Sequence, residues 1–427
     1  MTVTPGQATV AVVGGGWAGC AAALTLAEAG VAVTLYEAAR TLGGRARAVE
    51  LDGQAVDNGQ HILLGAYTQT LELIGHVQSD AAASALWRLP LSLRQPPSFS
   101  LACPPLPAPL HLLAGLIAAR GPDWREKLAA ARWTAALLRG DVADDCTVSE
   151  LTAGQPPRLN RWLWHPLCVS ALNTPPETAS GRVFREVVRA AFGSRRQHSD
   201  LILPRRDLTA LFPAPAAARV AALGGSVRLG CRVGSIAATT TGITLQTALG
   251  SAAHSHVVVA VAPQHAAGLL TGISELAAVA ARLATYRYLP IATAYVRYAP
   301  EFGLRHPVLA LAGGPAQFVF DRGQSHGQAG LLAFVASAAT TLPADWPAQA
   351  DAQLRRVVDP GAVRWQRHIV EKQATYACVP GLPRPAVRTG HPRVFLAGDY
   401  TAGPYPATLE SATSSGVQSA RSLLGQL

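Results

Sequence analysis

The sequence predicts an α/β protein in which a parallel sheet begins at the N-terminus, is interrupted by an inserted mixed α+β region, and is completed at the C-terminus. Three observations carry this. A valine-rich run at Thr9 leads into a glycine turn and an alanine-rich helical stretch. A second apolar run, residues 32–37, follows one turn later. Apolar runs return far downstream, at residues 256–261, which read as a strand covered on both faces, and at 394–397.

Taken in order, Thr-Val-Ala-Val-Val from Thr9 is a buried strand, Gly14 to Gly19 a tight turn, and residues 17–29 a helix stopped at Gly30. Residues 32–37 form the second strand. Between about residues 80 and 220 the texture changes to apolar helical stretches broken by proline. Strands resume at 226–229, 232–236 and 256–261, a β-rich stretch includes 292–298 and 331–336, and the strand at 394–397 precedes a last helix from about 407 to 424. The expected organisation is one discontinuous domain (1–79, 221–275 and 386–427) and a second region made of a largely helical part (80–220) and a β-rich part (276–385).

A chain of 427 residues, 49% of them hydrophobic, buries one large core or two joined ones, which argues against disorder. The formal charge is +10, yet among 36 basic residues only Lys127 and Lys372 are lysines and the arginines are scattered. Pairs such as Arg195-Arg196 and Arg205-Arg206 make no stripe for a phosphate backbone, so no nucleic-acid partner is expected. A solvated basic face explains the charge, and an anionic membrane surface fits it better than nucleic acid does. The six cysteines lack C-x-x-C spacing and read as buried small hydrophobes, giving no disulfide framework and no zinc site. His254 and His256 alternate on one expected strand without a carboxylate or cysteine at ligand spacing, so no metal is expected. Trp162 and Trp164 read as core or cavity wall. The N-terminus runs almost directly into a strand, leaving no room for a signal peptide, and the expected location is cytoplasmic.

The most apolar uncharged stretch is residues 99–119. Pro104, Pro105, Pro107 and Pro109 forbid a regular helix in its first half, and the remainder from Leu110 is too short to cross a bilayer. Two readings stay open: a buried helix, or a monotopic helix in the membrane interface with Arg120, Arg125 and Lys127 at the headgroups. The second gives a peripheral contact through residues 106–127 at the inner face of the cytoplasmic membrane.

In Gly14-Gly15-Gly16-Trp17-Ala18-Gly19 the first glycine turns the chain, the second admits a pyrophosphate, and the third lets helix and strand pack closely. The phosphates would lie on the helix N-terminus. Glu37, followed by Ala38, closes the second strand where a carboxylate accepts both ribose hydroxyls, which excludes a 2′-phosphate but leaves NAD and FAD open. Gly43-Gly44-Arg45-Ala46-Arg47 then offers backbone N–H groups and, through Arg45, a planar fork for a phosphate oxygen; a glycine turn with solvated arginines is the alternative. Far away, a strand ends in Gly398-Asp399 and Thr408-Leu409 opens the last helix. A carboxylate there can hold a ribityl hydroxyl, and the helix N-terminus can face a flavin pyrimidine and stabilise the reduced ring; an ordinary loop turn at Asp399 is the alternative.

These motifs, with the strand pair in residues 225–236, resemble the FAD-dependent amine oxidase and phytoene desaturase superfamily across the whole chain. The resemblance implies a Rossmann-like FAD-binding domain of the GR2 type, non-covalent FAD, and an inserted mixed α+β substrate domain. More narrowly, Arg45-Ala-Arg, Asp57-Asn-Gly-Gln-His61, Leu64-Gly-Ala-Tyr67, the stretches beginning Trp164-His-Pro-Leu and Leu172-Asn-Thr-Pro, Gly398-Asp-Tyr-Thr and Tyr405-Pro-Ala-Thr-Leu-Glu410 resemble the hydroxysqualene dehydroxylases. This implies hydride delivery from reduced flavin to an allylic carbon of hydroxysqualene, a long polyprenyl lipid, with the hydroxyl lost as water, in squalene and hopanoid biosynthesis. By the same resemblance Val233 contacts adenine through its backbone and Gly59-Gln60 runs beside the isoalloxazine. A proton donor is needed; His61, Asp57, Tyr400, Tyr405 and Glu410 are the candidates, with His61 first because a histidine donates near neutral pH. No second Gly-x-Gly-x-x-Gly follows a strand, so the electron donor is left open among a reductase, a quinone and a visiting nicotinamide. The rivals are an oxidising desaturase or amine oxidase of the same fold, and a non-redox prenyl-chain binding protein like the guanine-nucleotide dissociation inhibitors.

Overall fold

In the computed structural model, which describes residues 8–79, 82–143, 146–239 and 241–427, strand β1 (Thr9–Val13) feeds through the glycine turn into helix α1 (Trp17–Glu28), and strand β2 (Ala32–Tyr36) returns beside β1. β1 and β2 pair in parallel, Thr9 opposite Ala32 and Val13 opposite Tyr36. Distant segments extend this sheet: Ser226–Arg228 lies outside β2, His256–Val259 flanks β1, and Val394–Leu396 lies beyond it. All four pairings are parallel, so the sheet is that of a Rossmann-like domain.

The valine runs follow from two-sided burial. Val10 and Val12 share a core with α1 and the last helix, Leu409–Leu424, while Ala11 and Val13 face a second core containing Leu172, Phe184 and Val188 of the insertion. Each fully buried valine contributes about 1.5–3 kcal/mol, which alternation with polar residues would forfeit on one face.

The second domain carries a five-stranded antiparallel sheet in the order Val308–Ala310, Phe318–Asp321, Leu331–Ser337, Tyr288–Arg297, Trp365–Tyr376. Ala294, Val296 and Phe334 pack with Trp346, which opens the helix Trp346–Arg355, while Tyr295, Ala333 and Val335 face back toward the rest of the molecule.

Several expectations are corrected. Region 80–220 also contains the strands Leu86–Leu89, Ser92–Gln95, Phe99–Ala102 and Leu201–Pro204, short segments whose alternation is masked by flanking prolines. Its last helix, Pro213–Ala222, belongs with the parallel sheet: Ala216 and Val220 share the core of α1, and the Phe212 ring packs on Trp17 at 5.2 Å. His254 and His256 do not share a strand. His254 ends the strand Gly250–His254, with its Nε2 3.0 Å from the Tyr36 hydroxyl, and His256 begins a strand of the parallel sheet. The helix Leu110–Ala118 forms as expected, but Leu110, Leu113 and Ile117 are 54%, 48% and 65% exposed, against the buried-helix reading. No helix among the described residues is long and apolar enough to cross a membrane.

Candidate active site

One cavity of about 1200 Å3 runs from the C-terminal ends of β1 and β2 to the antiparallel sheet and the helix Leu110–Ala118. One half is polar and glycine-rich; the other is walled by side chains such as Leu101, Leu116, Trp164, Phe192 and Phe318.

In the first half, Gly14, Gly16, Trp17 and Ala18 line the wall at the N-terminus of α1, where no side chain caps the helix and its free N–H groups favour an anion. Gly19 lies behind this wall, packed on Gly14. Glu37 and Ala38 line the same end. The Glu37 carboxylate accepts from Gly15 N–H at 2.6 Å and Ala39 N–H at 2.7 Å, which aims it while leaving lone pairs for a diol. Val233 lines the cavity just after Cys231, whose N–H donates to the Glu37 carbonyl at 2.8 Å, so the segment expected at adenine adjoins the residue expected at the ribose. The Gly43-Gly44 turn differs from expectation: Gly43 N–H donates to Gly15 O at 2.9 Å, so it braces the glycine turn and is not free for a phosphate. Gly44 and Arg45 line the cavity, but Arg45 donates to Asp399 Oδ2 at 2.7 Å and to the Ala374 carbonyl at 2.8 Å, joining the two ends of the chain.

Gly398, Asp399, Thr408 and Leu409 also line the cavity. Gly398 has φ +155, and a Cβ there would stand 2.4 Å from the Tyr400 ring, so only glycine admits the turn that presents Asp399. Thr408 caps the last helix, its hydroxyl accepting from Ser411 N–H at 3.1 Å, and points that helix N-terminus at the cavity. Arg384, which sequence reasoning missed, holds this loop: its terminal nitrogens donate to the carbonyls of Asp399, Gly403 and Tyr405 and to Ser411 Oγ. The residues fit FAD. Two helix N-termini face one cavity, and Asp399 Oδ1 is buried without a partner among the described residues, an acceptor suited to a hydroxyl donor.

Gly59, Gln60 and His61 line the junction of the two halves. His61 Nδ1 lies 2.7 Å from the Gly59 carbonyl, which only accepts, so Nδ1 carries the hydrogen. Burial lowers the pKa of this imidazole, against the opposing pull of Gly59 and Asp57, so the ring is neutral near pH 7 and Nε2 is an acceptor. In this state Nε2 is suited to accept from a hydroxyl, and the expected proton-donor role requires the ring to be protonated first.

The other candidate acids lie off the cavity wall. Asp57 is buried in an ion pair with Arg322 (3.2 Å) and accepts from Leu208 N–H at 2.8 Å. Glu410 accepts from Thr70 N–H and Oγ1, each at 2.8 Å, and from Gln69 N–H, closing the N-terminus of the helix Thr68–Gln78. Tyr405 donates to the Ala66 carbonyl at 3.0 Å, and Tyr400 is buried. Their proximity to the glycine motifs in sequence reflects support of the site's scaffold. Tyr67, within Leu64-Gly-Ala-Tyr67, was passed over, yet it lines the cavity, and burial first, then Tyr405 and Glu410, raise its pKa and keep the O–H intact. Asn173 was likewise missed: in a left-handed conformation (φ 46), it donates to Thr375 Oγ1 and Leu289 O and ties the helix His165–Leu172 to the antiparallel sheet.

Fold and site together define an FAD-dependent oxidoreductase. Residues 193–424 match the flavin containing amine oxidoreductase family, and residues 12–77 match the NAD(P)-binding Rossmann-like domain. The chain belongs to the flavin containing amine oxidoreductase family. Among curated proteins, it is 27% identical to hydroxysqualene dehydroxylase of Sinorhizobium fredii (96% of this chain, 97% of that one) and 28% identical to hydroxysqualene dehydroxylase of Rhodopseudomonas palustris (96% and 97%). Among solved structures, an oxidoreductase from Methanosarcina mazei superposes with a TM-score of 0.72 at 14% identity, covering 97% of this chain and 100% of that one, a likeness of fold.

Proposed function

We propose that this enzyme reductively dehydroxylates hydroxysqualene to squalene. The observation that carries the reading is the continuity of the cavity: residues suited to FAD pass without a break into a largely apolar chamber, and a small polar station, Gln60 and His61, stands at the junction. Full-length similarity to two hydroxysqualene dehydroxylases points the same way. FAD, when bound and reduced, supplies the hydride that replaces the hydroxyl on an allylic carbon; one proton completes the departing water. The chain's own part is to exclude bulk water with the apolar wall and to fix the C–O bond against the hydride source. Electrons reach the site from a separate donor.

An anaerobic single turnover tests this: dithionite-reduced enzyme, freed of reductant, is given hydroxysqualene, and the extracted lipid is analysed while the flavin spectrum is followed. Reoxidation with an equal amount of squalene is expected. A flavin that stays reduced would instead favour an oxidising desaturase or amine oxidase. His61→Gln is expected to slow the turnover by about 10²-fold, the usual cost of a misplaced reacting group. An unchanged rate with FAD still bound would remove His61 from the reaction.

The same reading brings the enzyme to the cytoplasmic face of a membrane. The helix Leu110–Ala118 turns Leu112 and Leu116 to the cavity and Leu110, Leu113 and Ile117 to solvent, while Arg120 and Arg125 stand exposed beside it and Trp124 is 68% exposed. An apolar face with a basic rim, on the helix that walls the lipid chamber, suits an anionic bilayer. Flotation with anionic vesicles is expected to carry the wild type upward and to leave Leu113→Glu largely behind; equal flotation of both would return this helix to an ordinary surface role.

A further inference from the structure

An alcohol oxygen both donates and accepts a hydrogen bond, so a site that reads it offers one group of each kind. Gln60 and His61 have this complementarity. Gln60 Oε1 accepts from Arg322 Nη1 at 2.9 Å, and Gln60 Nε2 donates to the His61 carbonyl at 3.1 Å. These partners fix which end of the amide is which, and the nitrogen keeps a second hydrogen for another acceptor. His61, with its Nδ1–H committed to Gly59, has Nε2 free as an acceptor without a protein partner among the described residues. Both side chains line the cavity.

The support behind this pair is rigid. Arg322 is 1% exposed and donates to Asp57 Oδ2 at 3.2 Å and to Gln328 Oε1 at 2.6 Å as well as to Gln60. The Asp57 carbonyl accepts from the Tyr295 hydroxyl at 2.8 Å, and Thr293 Oγ1 meets Gln60 N–H at 3.4 Å. The Arg322 guanidinium donating to Oε1 draws electron density from the amide and strengthens the remaining N–H as a donor.

We propose that Gln60 and His61 form an alcohol-reading pair, with Arg322 as the residue that positions it. The proposal rests on the dehydroxylation reading for its ligand and adds how substrate is told from product: squalene has no oxygen and leaves both groups unmet. A site built to bond a hydroxyl rejects the analogue lacking it, because its own polar groups are then stranded.

The test is equilibrium binding to the FAD-loaded, oxidised enzyme, where no reductant allows turnover, read from the perturbation of flavin absorbance by hydroxysqualene and by squalene. Wild type is expected to prefer the alcohol by about tenfold or more, as one or two buried hydrogen bonds provide. Gln60→Leu and His61→Leu are each expected to lose most of that preference through weaker alcohol binding, with squalene affinity held, which also shows that the chamber is folded. Gln60→Glu keeps an acceptor toward Arg322 but replaces the amide nitrogen with a second acceptor oxygen, which also ends the bond to the His61 carbonyl, so it is expected to lose the preference too; squalene affinity held in the variants separates a lost alcohol contact from a disturbed chamber. Preference retained in all three variants overturns the pair while leaving dehydroxylation standing. If hydroxysqualene is not bound at all, the same comparison with geranylgeraniol and its parent hydrocarbon decides. An alcohol preference that the variants lose keeps the pair and sinks the dehydroxylation reading, whereas no preference overturns both.

Discussion

Gly19→Val is expected to give a folded protein that holds FAD far more weakly. A Cβ at residue 19 would stand 1.8 Å from the Gly14 carbonyl oxygen and 3.2 Å from Ala260 Cβ, so the first turn of α1 must withdraw from the glycine loop. That turn presents the N–H groups of the uncapped helix start, and Gly14 cannot move to make room, because its own missing Cβ faces the Ala260 carbonyl at 2.6 Å. Overpacking of this kind costs about 1–3 kcal/mol, or about five- to 150-fold in affinity if the strain falls on the binding conformation. The ratio of visible to ultraviolet absorbance after gel filtration measures retained flavin, and circular dichroism shows whether the fold survives. A variant with stoichiometric flavin and unchanged affinity would mean that the pyrophosphate does not rest on this turn.

The N-terminal unit was legible because its information is local. Strand, glycine turn, helix, strand and acid follow one another within residues 9–37, and each is dictated by neighbours in the chain. The strand that leads to Gly398-Asp399 and the helix that opens at Leu409 were legible for the same reason. What failed to show was pairing across hundreds of residues: Arg45 reads as a phosphate ligand until Asp399 is found beside it, and Arg384 carries no motif although it holds four acceptors of the loop that presents Asp399. Acidic residues were over-read as reactive. Glu410 and Asp57 are satisfied by backbone N–H groups and an arginine, and a sequence cannot distinguish a carboxylate that caps from one that reacts. The helix at Leu110 shows a related ambiguity, since an apolar stretch reads alike whether its outer face meets protein or solvent.

Arg322→Met should be the most damaging single change to stability. The Arg322 and Asp57 side chains are 1% and 3% exposed, and removing one partner of such a pair leaves the other charge stranded, at a cost of about 3–5 kcal/mol. His326, whose Nε2 lies 3.8 Å from Asp57, cannot substitute: burial and the charge of Arg322 push its pKa down to about 3, and burial persists in the variant. The deficit depends on pH in a definite direction. Burial is the largest influence on Asp57 and raises its pKa, opposed mainly by Arg322; in the variant that opposition is gone and the folded pKa rises further above the unfolded one. A group whose folded pKa is raised stabilises below its unfolded pKa, and that stability is lost as pH rises through the folded value. Unfolding of the FAD-loaded proteins should therefore show a smaller gap between variant and wild type near about pH 5 than near about pH 8. Adding Asp57→Asn to Arg322→Met should recover most of the loss, because the amide oxygen still accepts from Leu208 N–H while the stranded charge disappears. A single-variant deficit below about 1 kcal/mol, the range of an exposed pair, or a deficit that grows on acidification, would show that this pair does not anchor the segment from Asp57 to His61.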